Sequence, residues 1–371
     1  MEIRPLRSPD EHQRYVGFAH EVYRHHPHWV PPFADHLLDL LAGQTNAGPH
    51  WDVQPFWVEH DGRILATVTA VVDALYNRHW NERTGHLLLF EALPETEGAV
   101  AALLARACDW LADRGCDVAR FGFLFGWQLP WTIDAYDAVP TVFHTYNPPA
   151  YHAHAKNAGF ATERGAVQYE IAFTADLAAR YREMVDGATA AGVVLRPWRF
   201  DRLDEETRLF DRLLNETFAR HWGAPPFTAV QMEGLTVGLK EALIPDFLWF
   251  AEVRGETVGF VYSLPDLNQA IHGARLAALR GAPAEPAFGA IDRGVLQIIG
   301  VLEAHRGHGV NLALAAQSYL AMIARGYTSA SYTTVLDDNW PSRRTAERLG
   351  GRVTRNFVIY RRELGARRGH R

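Results

Sequence analysis

The sequence predicts an α/β (α+β) fold written twice, and two observations carry the prediction. FWVEHDGRILATV (56–68) matches WFAEVRGETVGFV (249–261), each reading as strand, tight turn, strand. Asp61-Gly62 and Arg254-Gly255 stand at the turns, as two-residue hairpins require, and Gly62 and Gly255 are 193 residues apart. KNAGFATERGAVQYEI (156–171) matches ERLGGRVTRNFVIYRR (347–362), with Gly159 and Gly350 191 residues apart. Two long matches at nearly one offset imply two copies of one domain. Strands alternating with helical stretches in each half imply a mixed architecture.

In the first half the pattern gives a hairpin over 56–73 and a strand over 85–92. A helix over 98–114, a strand over 117–125, a short helix over 150–158 and a strand over 166–173 follow. Residues 174–194 are polar and alanine-rich and predict a connecting helix. In the second half a strand starts near Leu195, one or two helices cover 203–243, and 247–263 repeats the hairpin. Residues 266–290 read as an irregular insert. Then come a strand over 293–301, a helix over 310–325, a strand over 329–336, a short helix over 342–349 and a last strand over 353–361. The expected domains are 1–174, a connecting segment 175–194, 195–362, and a basic tail 363–371.

A chain of 371 residues is comfortable for two domains, and 48% apolar with 22% charged residues is ordinary for a soluble protein. The formal net charge of −6 argues against a general nucleic-acid binder, which needs a basic surface to neutralise phosphates. Cys108 and Cys116 form no CxxC pattern, so the expectation is reduced thiols in the cytoplasm. The first residues carry no apolar signal core, and no apolar run is long enough to span a bilayer.

The stretch VLEAHRGHGVNLALAAQ (301–317) joins an expected strand to an expected helix through Arg306-Gly307-His308-Gly309. A helix N-terminus presents backbone N–H groups without internal partners, together with the positive end of the dipole. Glycines let the backbone approach a ligand closely, and arginine adds a forked cationic donor. The stretch therefore reads as a pyrophosphate cradle. It lacks both the GK[ST] ending of a Walker loop and the GxGxxG of a Rossmann loop. The alternative is a glycine-rich turn with no ligand.

About thirty residues later comes DDNWPSRRTAERLGG (337–351). Together with the cradle it resembles the GNAT superfamily of acyl-CoA N-acyltransferases, in which an Arg/Gln-x-x-Gly-x-Gly/Ala loop opens a helix. A second strand and an Asn-x-x-Ala/Ser-x-x-x-Tyr helix follow. HPHWVPP (26–32), NRHWNERTGHLLLFEA (77–92), TYNPPAYHAHAKNAGF (145–160), LPDLNQAI (264–271) and IGVLEAHRGHGVNLAL (299–314), with LDDNWPSRRTAERLGG (336–351), extend the likeness to tandem GNAT proteins related to bacterial ceramide synthases. The resemblance implies two GNAT-like domains in tandem. Each would have a mixed central sheet flanked by helices, with a splayed parallel strand pair. It implies acyl-CoA or acetyl-CoA as cosubstrate, no metal, and transfer to a primary amine, including a long-chain sphingoid-like base. FLFGWQLPWTIDAYDAVP (123–140) departs from the expected pattern and leaves the acceptor open.

By that resemblance Arg306, Gly307, His308, Gly309 and Val310 hold the CoA pyrophosphate. Asn339 and Ser342 contact the pantetheine arm or adenosine-side phosphates, and the backbone of Ile299, Gly300 and Val301 receives the thioester carbonyl, with a bulge at Gly300. Asn311 departs from the usual small residue. Ala346 stands where many members carry the tyrosine that protonates the leaving thiolate. Tyr332 and Tyr319 are the candidates to replace it. No base stands out among Asp292, Glu303, His305 and His308. The acidic LPETEG (93–98) stands where the first copy would need its phosphate loop, which predicts a structural or acceptor-side first domain.

Other features have plainer readings. His20, His25, His26 and His28 fit no zinc spacing. Tyr76, Trp80, Trp127, Trp131, Tyr136 and Tyr146 are core and packing residues or line an apolar channel. Ile271, Leu276 and Leu279 in the insert suggest either a surface excursion or a membrane-touching flap. A cytoplasmic protein follows, with peripheral contact at the inner membrane face left open. The rival readings are an aminoacyl-tRNA-dependent transferase and a GNAT-fold protein that binds CoA or lipid without turnover.

Overall fold

The computed structural model describes residues 1–42, 50–144, 146–282 and 285–365. Thr145 of the aromatic stretch, 283–284 of the insert and 366–371 of the basic tail lie outside the described residues. The chain divides into two units. The first holds Met1–Gly165 and the chain from Phe357 onward, and the second holds Ala166–Asn356.

The elements run in chain order as β1 (Glu2–Pro5), α1 (Pro9–Val22), α2 (Ala34–Leu41), β2 (Trp51–His60), β3 (Arg63–Asp73), α3 (Ala74–Trp80), β4 (Thr84–Ala92), α4 (Glu97–Asp113), β5 (Val118–Phe121), β6 (Trp131–Thr132), α5 (Ala150–Asn157) and β7 (Ala161–Ala172). They continue as α6 (Ala175–Ala190), β8 (Val193–Pro197), α7 (Leu203–Phe218), α8 (Ala229–Thr236), β9 (Trp249–Val253), β10 (Glu256–Pro265), α9 (Leu267–Leu279), β11 (Arg293–Val301), α10 (Val310–Ala324), β12 (Ser329–Leu336), α11 (Trp340–Arg348) and β13 (Arg352–Glu363).

Both predicted hairpins form. Their turns place two successive residues at positive φ, Asp61 and Gly62 at 48° and 77°, Arg254 and Gly255 at 52° and 82°. That conformation matches the right-handed strand twist. The strand order is β1-β2-β3-β4-β5-β13 in the first unit and β8-β9-β10-β11-β12-β7 in the second. Within each unit one pair is parallel, β4 with β5 and β11 with β12. The strand set of each unit is therefore mixed.

The contact units do not follow the boundaries at 174 and 195. The sixth strand of each unit comes from the other half of the chain. Ile171 of β7 pairs with Ala330 of β12, and Tyr360 of β13 pairs with Phe121 of β5. The segment read as a connecting helix is α6, a core helix of the second unit. Its Tyr181 is fully buried and donates to the Leu349 carbonyl at 2.6 Å, and Leu177 fills the space beside Gly350.

Residues 266–290 are also more regular than expected. Asp266 caps α9, its side chain accepting from the Asn268 N–H. Asp73 caps α3 in the same way, 193 residues earlier, so the repeat extends through both caps. The strand expected over 117–125 ends at Phe121, because Gly122 takes φ 78° with the Trp131 indole packed against it.

In the first unit α4 lays Leu103, Leu104 and Leu111 on Phe56, Val68, Leu87 and Phe121. In the second, α6 and α10 cover one sheet face, with Ala313, Leu314 and Ala316 against Val261, Leu296 and Ala330. On the other face Phe210 of α7 stacks on Tyr262 at 5.5 Å and meets Phe260 edge-on at 5.0 Å. Each such side chain contributes about 1.5–3 kcal/mol of burial. Two packed faces hold the sheet rigid up to the point where the parallel strands part.

Candidate functional site

The helix α10 has no side-chain cap. Its N-cap is Gly309 at φ 79°, preceded by Gly307 at φ 83°. Among the described residues the N–H groups of 307–312 find no protein acceptor. A Cβ added at Gly307 or Gly309 would meet nothing within 4 Å. The turn is therefore a concave run of free donors at the positive end of a helix of 15 residues, the arrangement that receives phosphate. Arg306 closes one side. Its guanidinium is already fixed, Nε donating to the Val301 carbonyl at 3.0 Å and Nη2 to the Thr217 carbonyl at 3.2 Å. His308 is exposed beside it and Val310 is buried at the helix start.

The donor run follows the end of β11, beyond the point where two parallel strands separate. The β11–β12 ladder covers Arg293–Leu296 against Ser329–Tyr332 and stops there, although both strands continue. Beyond Leu296 the β12-facing N–H and C=O groups of β11 have no strand partner, as an inserted extended ligand needs. Gln297, Ile298 and Ile299 are partly exposed at this point. Thr333 Oγ1 donates to Gln297 Oε1 across the opening at 3.4 Å.

The bulge expected at Gly300 lies instead at Gln297, where Leu296 pairs with Ser263 but Ile298 pairs with Tyr262. Gly300 has a different reason to be glycine. A Cβ there would sit 2.6 Å from Thr217 Oγ1 and 2.7 Å from the Phe260 ring. Its bareness lets α7 approach β11. Ile299 and Val301 pair with Val261 and Gly259.

Asn339 caps α11, its Oδ1 accepting from the Ser342 N–H at 3.3 Å. Asn311, the departure from a small residue, donates to Thr345 Oγ1 at 2.8 Å and ties the first turn of α10 to α11. Ala346 is fully buried, and its carbonyl accepts from the Gly351 N–H at 2.9 Å. One helical turn earlier, Ser342 Oγ lies 3.0 Å from the hydroxyl of Tyr332, which reaches across from β12. Burial pushes this phenol up to about 12 despite the Ser342 hydrogen bond.

Two of the residues considered for catalysis, Tyr319 and Asp292, do not reach the opening. Tyr319 lies fully buried in the core between Phe173 and Tyr181, and its hydroxyl has no partner among the described residues. Burial raises it well above an ordinary phenol. Asp292 precedes β11, bound by Gln269 at 2.8 Å and Thr328 at 3.1 Å. At roughly 3.3 Å per residue it is some 25 Å along the strand from Gly300.

The face of the opening opposite Tyr332 carries polar residues that the sequence reading passed over. Glu170 of β7 pairs with Ser331 in register, and its Oε2 accepts from Ser331 Oγ at 2.7 Å and from Gln168 Nε2 at 3.5 Å. Arg293 Nε donates to Asp266, which is fully buried, at 2.7 Å, and its Nη1 lies 4.0 Å from Glu170. Burial raises the Glu170 carboxyl, against Arg293, Ser331 and Gln168, which lower it. The available signal was alternation: Gln168 and Glu170 are polar at every second position of an apolar strand.

In the first unit the β4–β5 ladder ends at Leu87 and Phe121, where β5 itself stops, and the edge of β4 beyond it is filled. The Leu89 N–H donates to Gln128 Oε1 at 2.8 Å, and the Tyr15 hydroxyl donates to the Leu89 carbonyl at 2.9 Å. The Ala92 N–H donates to the Tyr151 hydroxyl at 2.9 Å, and that hydroxyl donates to Glu91 at 2.7 Å. Exposed Glu95 and Glu97 stand at the start of α4 where a phosphate would need donors. His20 and His26 pack against Trp29 and Tyr23, and among the described residues no cluster of three or more His, Cys, Asp or Glu could hold a metal. Among the described residues no helix is long and apolar enough to cross a membrane.

No protein-family model matches the chain. It is 26% identical over 377 residues to a protein named bacterial ceramide synthase from Caulobacter vibrioides, covering 98% of each chain. It is 22% identical over 276 residues to the protein YghO of Escherichia coli, covering 72% of this chain and 69% of that one. Among solved structures it is similar to a tandem GNAT protein from the clavulanic acid biosynthesis pathway, with TM-score 0.58, 14% identity and 98% of both chains covered. It is also similar to a GCN5-related N-acetyltransferase from Sphaerobacter thermophilus, with TM-score 0.54, 15% identity and 98% and 95% covered. At these identities the structural likeness establishes the fold. The chain has the fold of these tandem GNAT proteins and is similar over nearly its whole length to a protein named bacterial ceramide synthase.

Proposed function

We propose that the chain is an acyl-CoA-dependent N-acyltransferase whose second unit binds the acyl donor and whose acceptor is an amine with a long apolar tail. The observation that carries this reading is the run of unbonded amides at Gly307–Leu312, set at the mouth of the β11–β12 splay. The pyrophosphate of CoA would lie on those amides with Arg306 beside it. The pantetheine arm would extend along the free edge of β11 at Ile299–Val301, near Asn339 and Ser342.

Amide formation needs a neutral amine, a polarised thioester carbonyl and a stabilised leaving thiolate. The unpaired N–H groups of β11 supply donors for the carbonyl. Tyr332, held protonated by burial, is suited to donate a hydrogen bond to the departing sulfur. A phenol at about 12 is too weak an acid to protonate a thiolate fully near neutral pH. The lipid-like acceptor is supported by the relative's name and by exposed Leu279 and Phe288 around the end of α9. Ten methylenes would contribute several kcal/mol at about 0.8 kcal/mol each.

Ala346 favours a second reading, a CoA or lipid binder without turnover. Lipid mass spectrometry of the host with and without the gene separates the two. Loss of a set of long-chain amides on deletion, with restoration by the gene, supports the transferase. Unchanged amides support the binder.

A further inference from the structure

The face of the splay opposite Tyr332 holds a carboxylate that has no part in binding the acyl donor. Glu170 pairs in register with Ser331, and Thr333, two residues further along the same face of β12, bonds to Gln297 across the opening. Two residues of strand span about 7 Å, so Glu170 stands one side-chain row from the gap. Tyr332, between Ser331 and Thr333, turns to the other face and meets Ser342. The opening therefore has a phenol on one side and a carboxyl on the other.

The charge around Glu170 is uneven. Arg293 is held by fully buried Asp266 through two of its nitrogens and stands further from Glu170, at 4.0 Å. Arg293 thus engages Asp266 more closely than Glu170, whose side chain keeps partial exposure. A partly exposed carboxylate so placed can take an ammonium group.

We propose that Glu170 receives the ammonium group of the acceptor and takes its first proton. The inference rests on the transferase reading. The ammonium gives one proton to Glu170, and the freed lone pair forms the C–N bond at the thioester carbon. The C–S bond breaks, the second N–H proton ends on sulfur as CoA thiol, and Glu170 releases its proton to solvent. The sum is an amide, free thiol and one proton. Because burial raises Glu170, the carboxylate fraction grows as pH rises past the ordinary carboxylate range. Arg293 pulls that window down, and Asp266 pushes it up.

The test compares wild type, Glu170→Gln and Glu170→Asp with palmitoyl-CoA and sphinganine in detergent micelles. Thiol release is followed across pH, with calorimetry of palmitoyl-CoA binding and thermal unfolding alongside. Glutamine keeps the shape and still accepts from Ser331, and loss of a charge whose pKa was raised does not lower stability near neutral pH. The expected result is a loss of at least about 100-fold in rate for Glu170→Gln. Its acid limb should disappear, Glu170→Asp should recover part of the rate, and palmitoyl-CoA affinity and midpoint should stay put. Wild-type rate in Glu170→Gln overturns the role of Glu170 and leaves the transferase reading standing. So does a parallel loss of CoA affinity or of the fold in both variants. If wild type itself acylates neither sphinganine nor a polar amine, the transferase reading fails, and this inference with it.

Discussion

Two residues of the cradle act by different means. Gly309 provides a backbone conformation and empty space, whereas Arg306 provides charge and also holds the end of β11 to α7. Gly309→Val should leave the sheet intact, strain the N-cap and fill the donor run. Arg306→Ala should weaken CoA binding and lower the unfolding midpoint as well. A loss of roughly 1–3 kcal/mol in CoA affinity is expected for each, read by calorimetry; unchanged affinity in both folded variants would remove the cradle. The two tyrosines separate in the same manner. Tyr319 has a buried hydroxyl with no described partner, so Tyr319→Phe should be neutral or stabilising and leave transfer unchanged. Tyr332→Phe removes the hydroxyl at Ser342 and should slow transfer about tenfold without changing CoA affinity. Equal rates in the two variants would deny Tyr332 its part.

At the scale of elements, the two units differ in what lies along the strand edge beyond the parallel ladder. β4 of the first unit is closed by Gln128, Tyr15 and Tyr151, while β11 of the second has its edge free. One CoA should therefore bind per chain, and a calorimetric titration giving two equivalent sites would contradict that. Burial raises Glu91, beside Tyr151, to about 8, against hydrogen bonds from Tyr23 and Tyr151 that lower it. A carboxyl raised in the folded state adds stability that is complete below its unfolded value and fades as pH rises through the folded one. Wild type should thus lose unfolding midpoint between about 4.5 and about 8, and Glu91→Gln should flatten the curve; an identical slope would place the dependence elsewhere. The hairpins, β11, β12 and the start of α10 were legible because turn glycines and apolar runs are local signals. The helix α1 was legible in principle, since Ser8 and Glu11 form a capping box with Pro9 at its start. The caps Asp73 and Asp266 were likewise visible at the repeat offset.

At the scale of the whole molecule, the exchange of β7 and β13 between the units was not legible. Alternation tells which residues lie on a strand's two faces and not which strand it pairs with. Glu170 escaped notice for the same reason: it lies in the first half of the repeat but functions, on this account, in the second unit. The cradle could be read because its donors and glycines are contiguous, whereas the acceptor side gathers residues from β7, α9, β11 and β12. Transfer of an acyl group from CoA to an apolar amine is the proposed activity of the second unit. It is tested most directly by offering the purified chain acetyl-CoA and palmitoyl-CoA, each with spermidine, an amino acid and sphinganine, and measuring thiol release with product mass. Sphinganine is expected to yield its amide far faster than either polar amine. A clear preference for a polar amine with acetyl-CoA would contradict the apolar acceptor, and CoA binding with no amide from any pair would contradict the transfer itself.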